Sequence, residues 1–286
     1  ALNDLSKALE LNPGLSEAWF WKGMLHSRQN QTTEALAAFK TAAKSNNQQA
    51  AVWQQIAILQ KQAGDTHSAI EAIKKALRLE PDDYNLLQMY ASLLEELLDK
   101  GDQSVIKDLI QILLVMNDRF PKDSWTLAHL GTVIWQNGNE DEGRRLLQSA
   151  LALKSGYTWA QLRLAQLYLV SKRWEDASFW LQEGLRTNPE NRWALQQLAE
   201  CYERLSRSKE AIQLMESWMQ KPERTSLALH QTLGMLYLNE LEFESFEKHQ
   251  LKGLKQYPNN SELYRELATF YQGIQRPREA HKLLLR

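Results

Sequence analysis

The stretch TWAQLRLAQLYLVSKRWEDASFWLQEGLRTNPEN, residues 158–191, contains the whole structural unit of this chain. Leu164, Ala165 and Tyr168 mark one buried face of a first amphipathic helix. SKRWED (171–176) is polar and makes the turn. Ala177, Leu181, Gly184 and Leu185 then fall at i, i+4, i+7 and i+8, the face of a second helix, which Pro189 terminates. The same pattern recurs along the chain. Trp19 and Trp53 are 34 residues apart, as are Trp125, Trp159 and Trp193, and Pro13 to Pro81 and Pro121 to Pro189 both span 68 residues. Ala35 pairs with Ala69, and Ala177 with Ala211, on the same beat. A fixed period of this length means a stack of repeated supersecondary units.

Composition agrees with a folded, helix-rich chain. Of 286 residues, 43% are hydrophobic and 24% charged, and only 12 glycines and 7 prolines are present, too few for turn-rich β structure. Lys plus Arg (34) nearly balances Asp plus Glu (35), giving a net charge of −1, so no basic face for a nucleic acid is expected. The acidic patch Glu95, Glu96, Asp99 and Asp102 around Lys100 reads as a solvated helix end and loop. Cys201 is the single cysteine. This excludes a disulfide within the chain and a thiolate metal cluster, and its helical position makes it a small core residue. Such sparse cysteine use suits a bacterial cytoplasm or periplasm. The longest apolar run, Leu109 to Met116, is too short to span a bilayer.

The segment Ser16–Gln49 carries the residues of a known family. Trp19, Gly23, Ala35, Phe39 and Ala42 stand on the positions of the tetratricopeptide (TPR) repeat, with His26 in place of its Tyr and Asn47 in place of its Pro. The chain resembles that family throughout: a half repeat at 1–15, repeats at 16–49, 50–83, 84–123, 124–157, 158–191, 192–226 and 227–260, and a partial repeat at 261–286. Repeat 84–123 carries six extra residues across LLDKGDQSVIKDL, expected to lengthen both of its helices. Gly143 and Phe246 occupy the usual Ala position, and Ser155 replaces Pro. Gly23, Ala57, Ala91, Gly131, Ala165, Ala199, Gly234 and Ala268 are expected to let the helices of each pair approach closely. The resemblance implies an all-α fold, one right-handed superhelical solenoid over 1–286, with the first helix of each pair lining a concave groove. The chain begins in a second helix (1–11) and stops in another (280–286), which is expected to leave Leu283, Leu284 and Leu285 partly uncovered, as in a piece cut from a longer array.

Catalytic signatures are absent from the sequence. The six histidines, at 26, 67, 129, 230, 249 and 281, include no i, i+4 pair and no HExxH, and His26 and His230 fall on inward positions where core histidines are expected. No phosphate loop, dinucleotide fingerprint or nucleophile elbow occurs. The expectation is a non-catalytic chain without cofactor or metal.

The stretch NRWALQQLAECY (191–202) bears on binding. Leu195, Leu198, Ala199 and Tyr202 form the buried stripe, and Trp193 stands about 200° away from Leu195 on the polar side. The resemblance implies that positions 2, 5, 9 and 12 of each first helix face the groove. Trp125, Trp159 and Trp193 hold position 2 in three consecutive repeats and Trp135 holds position 12, giving an expected aromatic strip over a floor of Ala128, Thr132, Leu162, Gln166, Gln196 and Glu200. The packing alternative is that these indoles cover helix junctions. Trp19, Trp53 and Trp218 are expected in the core, and Trp174 and Trp180 on convex or junction surfaces. The Lys and Asn with which some family members clamp a terminal carboxylate are replaced by Phe20 and Met24, Gln54 and Ile58, Gln88 and Ser92, and Gln196 and Glu200. The expected function is a protein–protein scaffold binding a peptide or partner protein in the groove. The alternatives are a polysaccharide-binding scaffold of a bacterial exopolysaccharide system, with Gln166, Gln196 and Gln197 hydrogen-bonding sugars, or the recognition part of a larger enzyme.

Overall fold

The computed structural model describes residues 2–221 and 224–284. Ala1, Pro222, Glu223, Leu285 and Arg286 lie outside the described residues, and with them the outermost points of the expected end repeats. Every regular element among the described residues is helical. The chain divides into two compact units, Ala1–Leu153 and Lys154–Arg286.

The first unit contains α1 (Leu2–Leu11), α2 (Ser16–Arg28), α3 (Thr32–Ser45), α4 (Ala50–Gln62), α5 (Thr66–Leu79), α6 (Tyr84–Asp99), α7 (Ile106–Arg119), α8 (Ser124–Gln136) and α9 (Glu140–Leu153). The second contains α10 (Thr158–Val170), α11 (Trp174–Thr187), α12 (Arg192–Arg204), α13 (Ser208–Trp218), α14 (Leu227–Asn239), α15 (Phe243–Gln256), α16 (Ser261–Gly273) and α17 (Pro277–Leu284). Within each unit, helices pack mainly on their neighbours in sequence. The core is therefore a series of local layers rather than one central cluster, as stacked repeats require.

The short turn inside each pair has one backbone solution. Its second residue lies in the left-handed region at Asn30, Gly64, Gly101, Gly138, Lys172, Ser206, Leu241 and Gln275. At the glycine turns this conformation costs nothing, because no Cβ meets the following carbonyl. The Gly64 turn also closes the preceding helix, since Asp65 N–H donates to Gln60 O and Gly64 N–H to Lys61 O. Side chains cap several of the helix starts. Asp65, Asp83, Asp123, Asn191 and Asn260 each accept from the backbone N–H three residues on, satisfying one of the first turn's free donors.

The small residues sit where close packing needs them. Ala57, Ala91, Ala165, Ala199 and Ala268 are buried, and so are Gly23, Gly131 and Gly234. In the pair α8–α9 a Cβ on Gly131 would lie 2.8 Å from Gly143 O, and one on Gly143 would lie 2.6 Å from Trp135 Cβ. These two backbones touch, and alanine does not fit on either side.

Repeat 84–123 departs from the expectation that both helices lengthen. α6 grows to 16 residues against 13 in α4, but α7 keeps the 14 residues of α5. The remaining insertion is a 3₁₀ turn at Gln103–Val105. Gly101 takes a positive φ of 95° and ends α6, and Asp102 then accepts from both Ser104 N–H and Ser104 Oγ. That local bonding favours a turn over a further turn of helix.

Tryptophans and tyrosines secure the junctions. Trp19 Nε1 donates to Pro13 O and Trp53 Nε1 to Asn47 O, each fastening the loop six residues upstream. Both rings are half-buried against the first unit's core, and Trp218 is buried in the second. Tyr237 donates to Glu216 and Tyr271 to Glu247, both at 2.6 Å, tying a first helix to the second helix before it. Arg173, Arg207 and Arg276 cover the rings of Tyr168, Tyr202 and Tyr271 at 4.7–4.9 Å, a cation–π contact repeated in three turns.

Candidate functional site

An open pocket of about 360 Å³ lies between α10 and α12 in the second unit, lined by Trp159, Leu162, Arg163, Gln166 and Trp193. Its geometry follows from the helical period. Leu164, Ala165, Leu167 and Tyr168 take the buried face of α10, so Leu162, Arg163 and Gln166 are left half-buried on another. Trp159 and Trp193 are the second residues of their helices. The latter is 40% exposed, far more than an indole held for packing needs.

The wall is built in layers. The Arg163 guanidinium lies 5.0 Å from the Trp159 ring centroid, and its Nη1 donates to Gln166 Oε1 at 3.0 Å. Tyr157 also stacks with Trp159, at 6.1 Å between centroids and 25° between planes. Lys154 Nζ sits 5.1 Å above Tyr157. Leu162 fits here because of Gly184 on α11, where an added Cβ would come within 2.6 Å of Leu162 Cδ2.

The structure thus brings Trp159, Gln166 and Trp193 together and adds Arg163, which sequence inspection passed over because a single arginine on a helix carries no signal. Gln196 and Glu200 are half-buried on α12 but do not line the pocket. Glu200 is drawn along its own helix to Arg204 at 3.5 Å, and Arg204 also covers Trp174 at 5.7 Å. Trp125 and Trp135 belong to the first unit. Trp125 is half-buried against that unit's core and stacks on His129 at 3.9 Å between centroids, while Trp135 packs over the Gly143 contact. Ala128 and Thr132, expected on the groove floor, are instead buried, because α8 turns almost every residue of its middle turns inward. Thr132 Oγ1 donates to Ala128 O.

Histidines spread in sequence meet in space. In the second unit His249 Nε2 lies 3.0 Å from both His230 Nδ1 and His230 O, and His230 Nε2 lies 3.2 Å from Gln256 Oε1. One tautomer set satisfies all three contacts: Nε2–H on both rings, with His230 Nδ1 accepting. Burial depresses both imidazoles, His249 to about 4 with help from the neighbouring His230. In the first unit, His129 Nδ1 meets Glu95 Oε1 at 2.5 Å, so that half-buried carboxylate is held by a buried ring. His26, expected in the core, is half-exposed and bonded to Gln31. Cys201 is buried, and its thiol is pushed up to about 11 by burial and then by Glu200. Among the described residues no three His, Cys, Asp or Glu side chains gather to hold a metal, and no helix is long and apolar enough to cross a membrane.

Stacked antiparallel helix pairs with an open aromatic pocket between successive first helices define a helical-repeat protein. Family models described as tetratricopeptide repeat match residues 5–37, 50–93 and 135–190. Together with the 34-residue period and the helix pairs along both units, they place the chain in the tetratricopeptide-repeat family. Solved structures share the fold. A tetratricopeptide repeat protein from Parabacteroides merdae aligns over 95% of this chain and 99% of its own, with a TM-score of 0.61 and 16% identity. YrrB, described as a TPR protein with an unusual peptide-binding site, aligns over 68% of this chain and 98% of its own, with a TM-score of 0.58 and 19% identity. Cut9 in its hetero-tetramer with Hcn1 from the APC/C aligns over 82% and 46%, with a TM-score of 0.55 and 20% identity. Among curated proteins, the human protein O-mannosyl-transferase TMTC3 is 23% identical over 186 residues. That match covers 65% of this chain and 20% of the length of the human protein.

Proposed function

We propose that this chain is a protein-interaction scaffold that holds an extended segment of a partner protein against the pocket between α10 and α12. The single observation that carries this reading is the exposed Trp193 facing Trp159 across an open pocket. Exposed indoles at a concave site are the side chains most often found as binding hot spots, each worth about 2 kcal/mol or more. The fold neighbours support the reading: the name of YrrB mentions a peptide-binding site, and Cut9 is seen in an assembly with Hcn1. The transferase name of TMTC3 supports a compatible second reading, in which such a segment serves as the recognition part of a larger enzyme. The polysaccharide alternative gains nothing from these names.

Selection of a random peptide library on the protein tests the scaffold reading. Binders are then measured by calorimetry on the wild type and on a Trp159→Ala/Trp193→Ala variant of equal helicity. Loss of binding in the double variant is expected. Peptides that bind both proteins equally well would refute the proposed site.

A further inference from the structure

We infer that the occupant of the α10–α12 pocket is an acidic segment, with an internal Asp or Glu side chain on Arg163 and a large apolar side chain between Trp159 and Trp193. The inference rests on the groove reading above and names its partner's chemistry. Arg163 is the only charged residue among the five that line the pocket. Its bonds are to Gln166 and to the face of Trp159, and it takes part in no ion pair among the described residues. Several other arginines on the helix surfaces of this unit are paired: Arg173 with Asp176, Arg186 with Glu183, Arg204 with Glu200, Arg207 with Glu210, and Arg265 with Glu262. A half-buried guanidinium over an indole, with one neutral hydrogen-bond partner and no counter-ion, is partly desolvated and leaves charge for an anion to meet.

Its geometry suits a carboxylate. The guanidinium lies 5.0 Å from the Trp159 ring centroid, and one donor is committed to Gln166. The remaining donors of the planar guanidinium form the fork that a carboxylate accepts in parallel bonds. Lys154, over the ring of Tyr157 that stacks with Trp159, adds a second positive charge. Glu200, the acid on α12, is paired with Arg204. The wall offers one guanidinium and one amide rather than a ring of donors closing around a chain end, so an internal side chain fits better than a terminal carboxylate. Beside it, Leu162, Trp159 and Trp193 supply an apolar wall for a large neighbouring side chain.

The test is selection of a random peptide library displayed between fixed flanks, so that no peptide has a free carboxyl terminus. It is run in parallel on the wild type, on Arg163→Glu and on Trp159→Ala/Trp193→Ala, all checked for equal helicity. On the wild type, peptides with Asp or Glu beside a bulky apolar residue are expected to be enriched. On Arg163→Glu the enrichment is expected to change to Lys or Arg, and wild-type binders are expected to weaken about tenfold or more, as loss of a desolvated charge pair requires. Peptides that need both tryptophans but show no acidic preference and bind Arg163→Glu unchanged would overturn this inference and leave the groove reading standing. If no selected peptide depends on the tryptophans, both fail.

Discussion

Lowering the pH from 7 to 5 is expected to loosen the second unit at its histidine pair. Protonation of His230 at Nδ1 would set an N–H against His249 Nε2–H at 3.0 Å, and among the described residues no carboxylate pairs with either ring to compensate. Glu216, the acid on the adjoining helix, is bonded to Tyr237, and Lys252 repels a further proton. The folded state therefore resists protonation that the unfolded chain accepts. The folded pKa of His249 lies at about 4 against an ordinary 6.5. A depressed histidine contributes its full stability above the unfolded value, and this is lost as pH falls from 6.5 toward 4. For His249 alone the loss between pH 7 and 5 is about 2 kcal/mol, since each pH unit inside that window is worth about 1.4 kcal/mol per proton. Stacked repeats open in parts, so the assay is amide hydrogen exchange of α14 and α15 at the two pH values, corrected for the intrinsic exchange rate. Faster opening at pH 5 is expected in the wild type, and a much smaller pH response in His249→Gln. An NMR titration of His249 with a midpoint near 6.5, or an equal pH response in the variant, would refute the reasoning.

Other perturbations follow from contacts already described. Gly143→Ala should destabilise the α8–α9 pair by about 1–3 kcal/mol, because the new Cβ meets Trp135 Cβ and Gly131 O with no room to move; an unchanged urea midpoint would contradict this. Leu241 is 71% exposed with φ of 59°, so Leu241→Gly should raise stability by about 0.5–1 kcal/mol through relief of the left-handed strain, read as a higher Tm. Asp123 accepts from Thr126 N–H, Thr126 Oγ1 and Tyr84 Oη. Burial raises its pKa, but these bonds outweigh burial and hold it below the usual carboxylate range. Asp123→Ala should therefore cost the first unit about 2 kcal/mol, and that loss should shrink as the wild-type carboxylate is titrated in acid; a chemical-denaturation series against pH checks both.

The α-helical repeat was legible in the sequence because each contact that defines it lies within one or two periods. Trp19, Gly23, Ala35, Phe39 and Ala42 belong to one helix pair, so their spacing alone reports how that pair packs. The sequence likewise placed the small residues from Gly23 to Ala268, the buried Cys201 and the buried Trp218, whereas the loop bonds of the half-buried Trp19 and Trp53 emerged only in the structure. Residues that depend on a partner from another helix were not legible. His230 and His249 are 19 residues apart, and their pairing depends on how α14 faces α15. The tertiary structure alone decided that Ala128 and Thr132 turn inward, that Glu200 is taken by Arg204, and that Arg163 lies against Trp159 in one pocket with Trp193. A helical period fixes the angle of a side chain about its own axis, but what that side chain meets depends on the rotation and distance of the neighbouring helix.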